Sequence, residues 1–188
     1  MTAVPRVLLL APARSYRTAD FMLAAAKMGL DLTVASDGAL PVGGRPVIPV
    51  RPSDPEHAAE PIISRCGPVD AVVAADAPML LLTATVAERL GLPHNPADAV
   101  LAAVDKARQR QLWAAADVPQ PRFEIIPARA SGDATRQAAA ATGLPCVIKA
   151  VSLSASRGVL RADDATRAVQ AAMSRTANRC RWPAESRH

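Results

Sequence analysis

Apolar positions along the chain follow two alternating rhythms. Short strand-like segments, the continuous apolar run Val7 to Ala11 and then Asp31 to Ala35, Val47 to Val50 and Asp70 to Ala74, are separated by longer stretches that read as helices or turns. The runs suit strands buried on both faces of a parallel sheet, and the stretches between them suit amphipathic helices. Thr18 or Asp20 can cap the first helix, which runs to Met28 with Gly29 placed to end it. Ser53-Asp54-Pro55-Glu56 reads as a capping box opening a helix to about Cys66. A third helix spans Met79 to Leu90 and is closed by Gly91. Such alternation with short connections predicts right-handed crossovers and an α/β, Rossmann-like parallel sheet.

Beyond this half the pattern changes. Asn95 and Pro96 open a long helix carrying Lys106, with Leu101, Val104, Leu112 and Ala115 as its buried stripe. Pro119 and Pro121 stop it. Phe123 to Ile126 reads as a strand and Thr135 to Thr142 as a helix core closed by Gly143. The run Leu144 to Val151 reads as a strand, followed by a polar loop and a returning strand, Val159 to Ala162. Side chains alternate across a strand, so Lys149 shares a face with Val147 and Val151, while Cys146, Ile148 and Ala150 take the other. After Arg161, Asp163-Asp164 caps a helix through Ala165, Val169 and Ala172.

The loop from Ser152 to Gly158 is longer than the two to five residues that usually close a hairpin. Its hydroxyls, including Ser154 and Ser156, together with Arg157 and free backbone N–H groups, can surround phosphate oxygens, and Gly158 permits a backbone geometry that other residues resist. An ordinary exposed hairpin is the alternative.

Composition narrows the choices. In 188 residues, 50% are hydrophobic but only 3% aromatic, so alanine and branched aliphatics must fill the core. The net charge of +5 is carried by arginine, the lysines being Lys27, Lys106 and Lys149. Nucleic-acid sites interleave aromatics or gather charge on one face, and neither pattern is visible, so nucleic acid is not an expected partner. Three widely spaced cysteines argue for a reducing compartment rather than a disulfide framework, and scattered histidines suggest no metal cluster. The apolar run Ala77 to Ala87 is too short to span a bilayer, and a cytoplasmic location is expected. Pro12 to Thr18, after the first strand, holds no glycine, which excludes a dinucleotide-binding fingerprint. Asp37, at the end of the second strand, then reads as a solvated turn residue rather than a ribose ligand. Arg14 and Arg17 stand near a helix start, as anion contacts or as interface salt-bridge partners.

Two segments in order, "DKARQRQLWAAADVPQPRF" from Asp105 and "GLPCVIKAVSLSASRGVLRADD" from Gly143, resemble ATP-grasp enzymes, as do "RSYRTADFMLAAAKMGLDLTVASD" and "GLPHNPADAV" upstream. The resemblance is to carbamoyl-phosphate-synthase-like and biotin-carboxylase-like carboxylate-amine ligases. It implies that Lys106, Lys149, Ser154, Ser156, Arg157 and Gly158 bind the triphosphate of ATP, supplied as Mg-ATP. Ala150 and Ala155 depart from the related pattern, which has proline and glycine there.

The expected organisation is a Rossmann-like pre-ATP-grasp domain over 1–118, a partial α+β ATP-grasp subdomain over 119–173 and an irregular basic tail over 174–188. In the family a further subdomain supplies the adenine hinge, the ribose acid and the carboxylates and asparagine that hold magnesium. No such segment is recognisable after Met173. The reading is therefore a truncated ligase portion, not active alone, whose parent joins a carboxylate to an amine through an acyl phosphate. Its expected partners are nucleotide, a carboxylate substrate, and a second chain or another copy of itself. The alternative is a non-catalytic Rossmann-like module that binds a partner chain.

Overall fold

The computed structural model describes residues 3–40, 44, 46–153 and 156–174. The chain divides into two compact units, Met1–Leu101 and Ala102–His188, a division ahead of the 118/119 boundary expected from the sequence.

The first unit is a parallel sheet with helices between its strands. Its elements are β1 (Arg6–Ala11), α1 (Thr18–Lys27), β2 (Asp31–Ser36), β3 (Val47–Pro49), α2 (Pro55–Cys66), β4 (Ala71–Ala74) and α3 (Leu80–Arg89), the last preceded by a 3-10 turn at Ala77–Met79. Strand order is β3-β2-β1-β4, all parallel, with Leu8 opposite both Thr33 and Val72. Leu8, Leu9, Leu10 and Ala11 are each at most 1% exposed, because β1 is central in this sheet and both its faces are covered. On one face Leu8 and Leu10 join Ile48, Ile62, Met79, Leu82 and Val86; on the other, Leu9 and Ala11 meet Phe21 and Leu32.

Local signals explain most ends. Gly29 and Gly91 follow α1 and α3 in the left-handed conformation expected of helix stops. At α2 the cap is Asp54 rather than Ser53: its carboxylate accepts from the His57 N–H, and Pro55 takes the first helical position. At α1 neither Thr18 nor Asp20 caps. Arg17 holds the cap position without a side-chain bond, and its guanidinium lies 5.7 Å from the Phe21 ring centre. Asp37 is not a free turn residue either. Its carboxylate accepts from the Ala13 N–H at 2.7 Å, tying the loop after β1 to the end of β2. Gly38 beside it is required by close approach, since a Cβ there would stand 2.9 Å from the Cβ of Ala13.

α4 (Ala97–Val104) leads to the second unit, whose elements are α5 (Lys106–Ala115), α6 (Gly132–Thr142), β5 (Cys146–Lys149), β6 (Val159–Ala162) and α7 (Ala165–Met173). The expected single helix is thus two. The Asp105 carboxylate accepts from the N–H groups of Ala107 and Arg108, so it caps a new helix and ends the old one. The expected stripe fails with it: α5 buries no residue, and Leu112 is 48% exposed. Residues 121–127 form no strand, and the only ladder described in this unit joins β5 to β6. Ser131 caps α6 and Asp164 caps α7, while Asp163 pairs with Arg161 at 2.7 Å.

Candidate phosphate-binding site

β5 and β6 pair antiparallel, with Cys146 opposite Ala162, Val147 opposite Arg161, Ile148 opposite Leu160 and Lys149 opposite Val159. Directly opposed residues share a face. Cys146, Ala162 and Ile148 pack with Ala139 of α6 and Ala168 of α7, so this face of the ribbon is the covered one. Val147, Lys149, Val159 and Arg161 lie on the other face and are all exposed. Apolar anchoring on one side is therefore what presents Lys149 outward.

Pairing continues one step past Lys149, where the Ala150 N–H donates to the Gly158 carbonyl at 3.0 Å. Ser156, Arg157 and Gly158 form the turn that returns to β6, with φ of 57° at Ser156 and 66° at Gly158. Gly158 adopts this conformation without the cost a side chain brings; Ser156 carries that strain. Backbone of this kind turns successive N–H groups toward a common concavity, which suits an anion. Ser154 and Ala155 lie outside the described residues.

Lys106 is placed differently from Lys149. It is the first residue of α5, and its ammonium donates to the carbonyls of Val151 at 3.3 Å and Leu153 at 2.5 Å, at the base of the flap formed by residues 152–158. Its backbone N–H also donates to Val151, at 3.2 Å. Two of the expected residues are thus joined to one loop, Lys106 at its base and Gly158 at its return.

Lys149 also lines a cavity of about 270 Å³ whose wall includes Ile126, Arg129, Ile148, Val151 and Met173. Arg129 brings a second cation to this cavity and was not anticipated. It stands in a turn closed by the Ala130 N–H on Pro127, in a segment between the expected strand and helix to which the sequence reading gave no element. Asp105 was missed as well, although an aspartate directly before a helix-forming run is a cap signal. The ligand test divides between the two halves of Mg-ATP. An outward lysine, a guanidinium and a backbone turn at residues 156–158 are groups of the kind that suit phosphate oxygens. Among the described residues no group of three His, Cys, Asp or Glu side chains is placed to hold a metal ion.

A parallel-sheet unit followed by a strand–flap–strand unit is the architecture of the N-terminal portion of ATP-grasp ligases, and this chain has that fold. Among solved structures it is similar to the L-amino acid ligase from Bacillus licheniformis, with 23% identity and a TM-score of 0.68 over 91% of this chain and 42% of that one. It is also similar to carboxyaminoimidazole ribonucleotide synthase from Aspergillus clavatus, solved with ATP, with 13% identity and a TM-score of 0.65 over 89% of this chain and 45% of that one. A D-alanine–D-alanine ligase from Xanthomonas axonopodis pv. citri is 33% identical over 79 residues, 41% of this chain and 25% of the relative. The chain thus spans a quarter of that curated relative and less than half of either structure. No family model matches. Among the described residues, no helix is long and apolar enough to cross a membrane.

Proposed function

We propose that this chain supplies the phosphate-binding flap of an ATP-dependent carboxylate-amine ligase that works through an acyl phosphate, and that it does not complete the transfer by itself. The observation that carries this reading is Lys149, held outward on the open face of a ribbon whose flap has a left-handed turn at Ser156 and Gly158. Lys149 and Arg157 neutralise phosphate oxygens, Ser154 and Ser156 donate hydroxyls, and Gly158 lets the backbone approach closely. Lys106 adds its charge at the flap's base. Closure of such a flap excludes water from an acyl phosphate, which water would otherwise hydrolyse. Magnesium, when bound, neutralises charge on the transferred phosphoryl group. In this reading its ligands, adenine recognition and the choice of acid and amine come from outside the described residues, and the protein works in the cytoplasm.

Calorimetric titration with Mg-ATP tests the proposal. The wild-type chain binds, and Lys149→Ala weakens binding at least tenfold while leaving the circular dichroism spectrum unchanged. A folded chain that takes up no nucleotide, or a Lys149→Ala variant with wild-type affinity, would sink the proposal. The second reading, a module that docks on a partner chain, is favoured by one observation: α5 leaves Leu112 48% and Trp113 38% exposed. It predicts self-association or complex formation in sedimentation that Leu112→Glu abolishes.

A further inference from the structure

The orphan donors of the first three residues of α5 all have partners within the chain. The N–H of Lys106 goes to the Val151 carbonyl and those of Ala107 and Arg108 to the Asp105 carboxylate, before the first intrahelical bond runs from Gln109 to the Asp105 carbonyl. Capping side chains commonly take such donors; here one of them goes instead to a carbonyl at the base of the flap. The side chain repeats the choice. The Lys106 ammonium donates to Val151 at 3.3 Å and to Leu153, the residue before Ser154, at 2.5 Å. Bonds from a charged donor are roughly twice as strong as neutral ones, and a half-buried ammonium has reason to keep them.

We infer that Lys106 is a positioning residue for the flap: it holds residues 151–153 against the start of α5 and so sets where the phosphate-binding turn stands before a ligand arrives. The consequence for nucleotide binding rests on the function proposed above. The latch itself is a property of the ligand-free chain.

Hydrogen exchange of the ligand-free protein, resolved at the amides of Ala150 and residue 106, reads the latch directly. Lys106→Met keeps the aliphatic stem but removes charge and donors, and exchange at both amides should rise tenfold or more. Lys106→Arg restores both charge and donors and should return most of the protection. Lys149→Met removes a cation from the same ribbon without touching the latch, and should stay within about twofold of wild type. Lys106→Leu is a second donor-free replacement if the methionine variant does not fold. Wild-type exchange in the Met or Leu variant overturns the inference, as does equal acceleration in Lys149→Met. Titration with ATP separates the two claims. Nucleotide binding that depends on Lys149, in a chain whose flap ignores Lys106, leaves the function standing and removes the latch. A flap that loosens in Lys106→Met, in a chain that binds no ATP, does the reverse.

Discussion

β1 and β5 are both short apolar strands, yet they hold their side chains under opposite conditions. β1 has a hydrogen-bonded neighbour on each side and cover on each face, and Leu8 through Ala11 are at most 1% exposed. Among the described residues β5 has one neighbour, β6, and one covered face, so Cys146 is buried while Val147 is 53% exposed. A strand closed on both faces has room only for apolar residues, because an unpaired ammonium there loses its hydration. A ribbon with one open face can present a lysine to a ligand. The larger buried clusters lie in the first unit, and the outward lysine on which the proposed function rests lies in the second.

The largest expected effect tests the first half of that contrast. Leu10→Ala removes a fully buried side chain and should cost about 2–5 kcal/mol, read from the urea midpoint. Ile148→Ala, half-buried on the covered face of the ribbon, should cost about 1 kcal/mol. Equal losses would break the comparison. The complementary change is Lys149→Ala, which should lower nucleotide affinity at least tenfold yet move stability by less than about 0.5 kcal/mol, as surface substitutions usually do. A large loss of stability would make Lys149 a structural residue.

The same contrast explains what could be read from the sequence. All four strands of the first sheet were legible to within a residue or two, β1 most plainly because burial on both its faces writes itself as a continuous apolar run. Asp164 was legible as a cap, and the alternation that places Lys149 opposite Ile148 was legible because one face of the ribbon is covered. Early in the second unit this signal thins. Leu112 and Ala115 have helical spacing without burial, and Phe123 to Ile126 have strand composition but no ladder partner among the described residues. Apolar spacing that is neither fully buried nor paired in a ladder gives no reliable sign of the element it belongs to. The break at Asp105 was hidden by apolar spacing that continues straight through it. The bonds of Lys106 to Val151 and Leu153 were not legible at all, since they join residues more than forty positions apart through backbone carbonyls, which have no sequence signature.

Asp105 sharpens the account of the second unit. Its carboxylate satisfies two first-turn donors of α5, and Asp105→Ala should cost about 1 kcal/mol, within the usual range for a lost cap. If α5 is the anchor to which the flap is tied, that variant also speeds exchange at Ala150, although no flap residue has been altered. Loss of stability without faster exchange would mean that the helix start and the flap are independent.

The smallest effect belongs to the first unit and is a pH dependence. The Asp54 carboxylate is held below its usual pKa of 3.8 by the His57 side chain, which bonds it at 2.9 Å, and by the His57 backbone N–H. A carboxyl whose folded pKa is depressed binds its proton less readily folded than unfolded, so its contribution is fully present above about pH 3.8 and is lost as pH falls through the lower, folded value. Asp54→Asn keeps a competent cap but cannot ionise. The wild type should therefore exceed this variant in urea midpoint at about pH 5, the margin narrowing to nothing in stronger acid. A margin that grew as pH fell would reverse the sign and show that the ion pair with His57 does not favour the folded helix. Even a correct sign should leave flap exchange at Ala150 unmoved, because Asp54 caps a helix of the other unit.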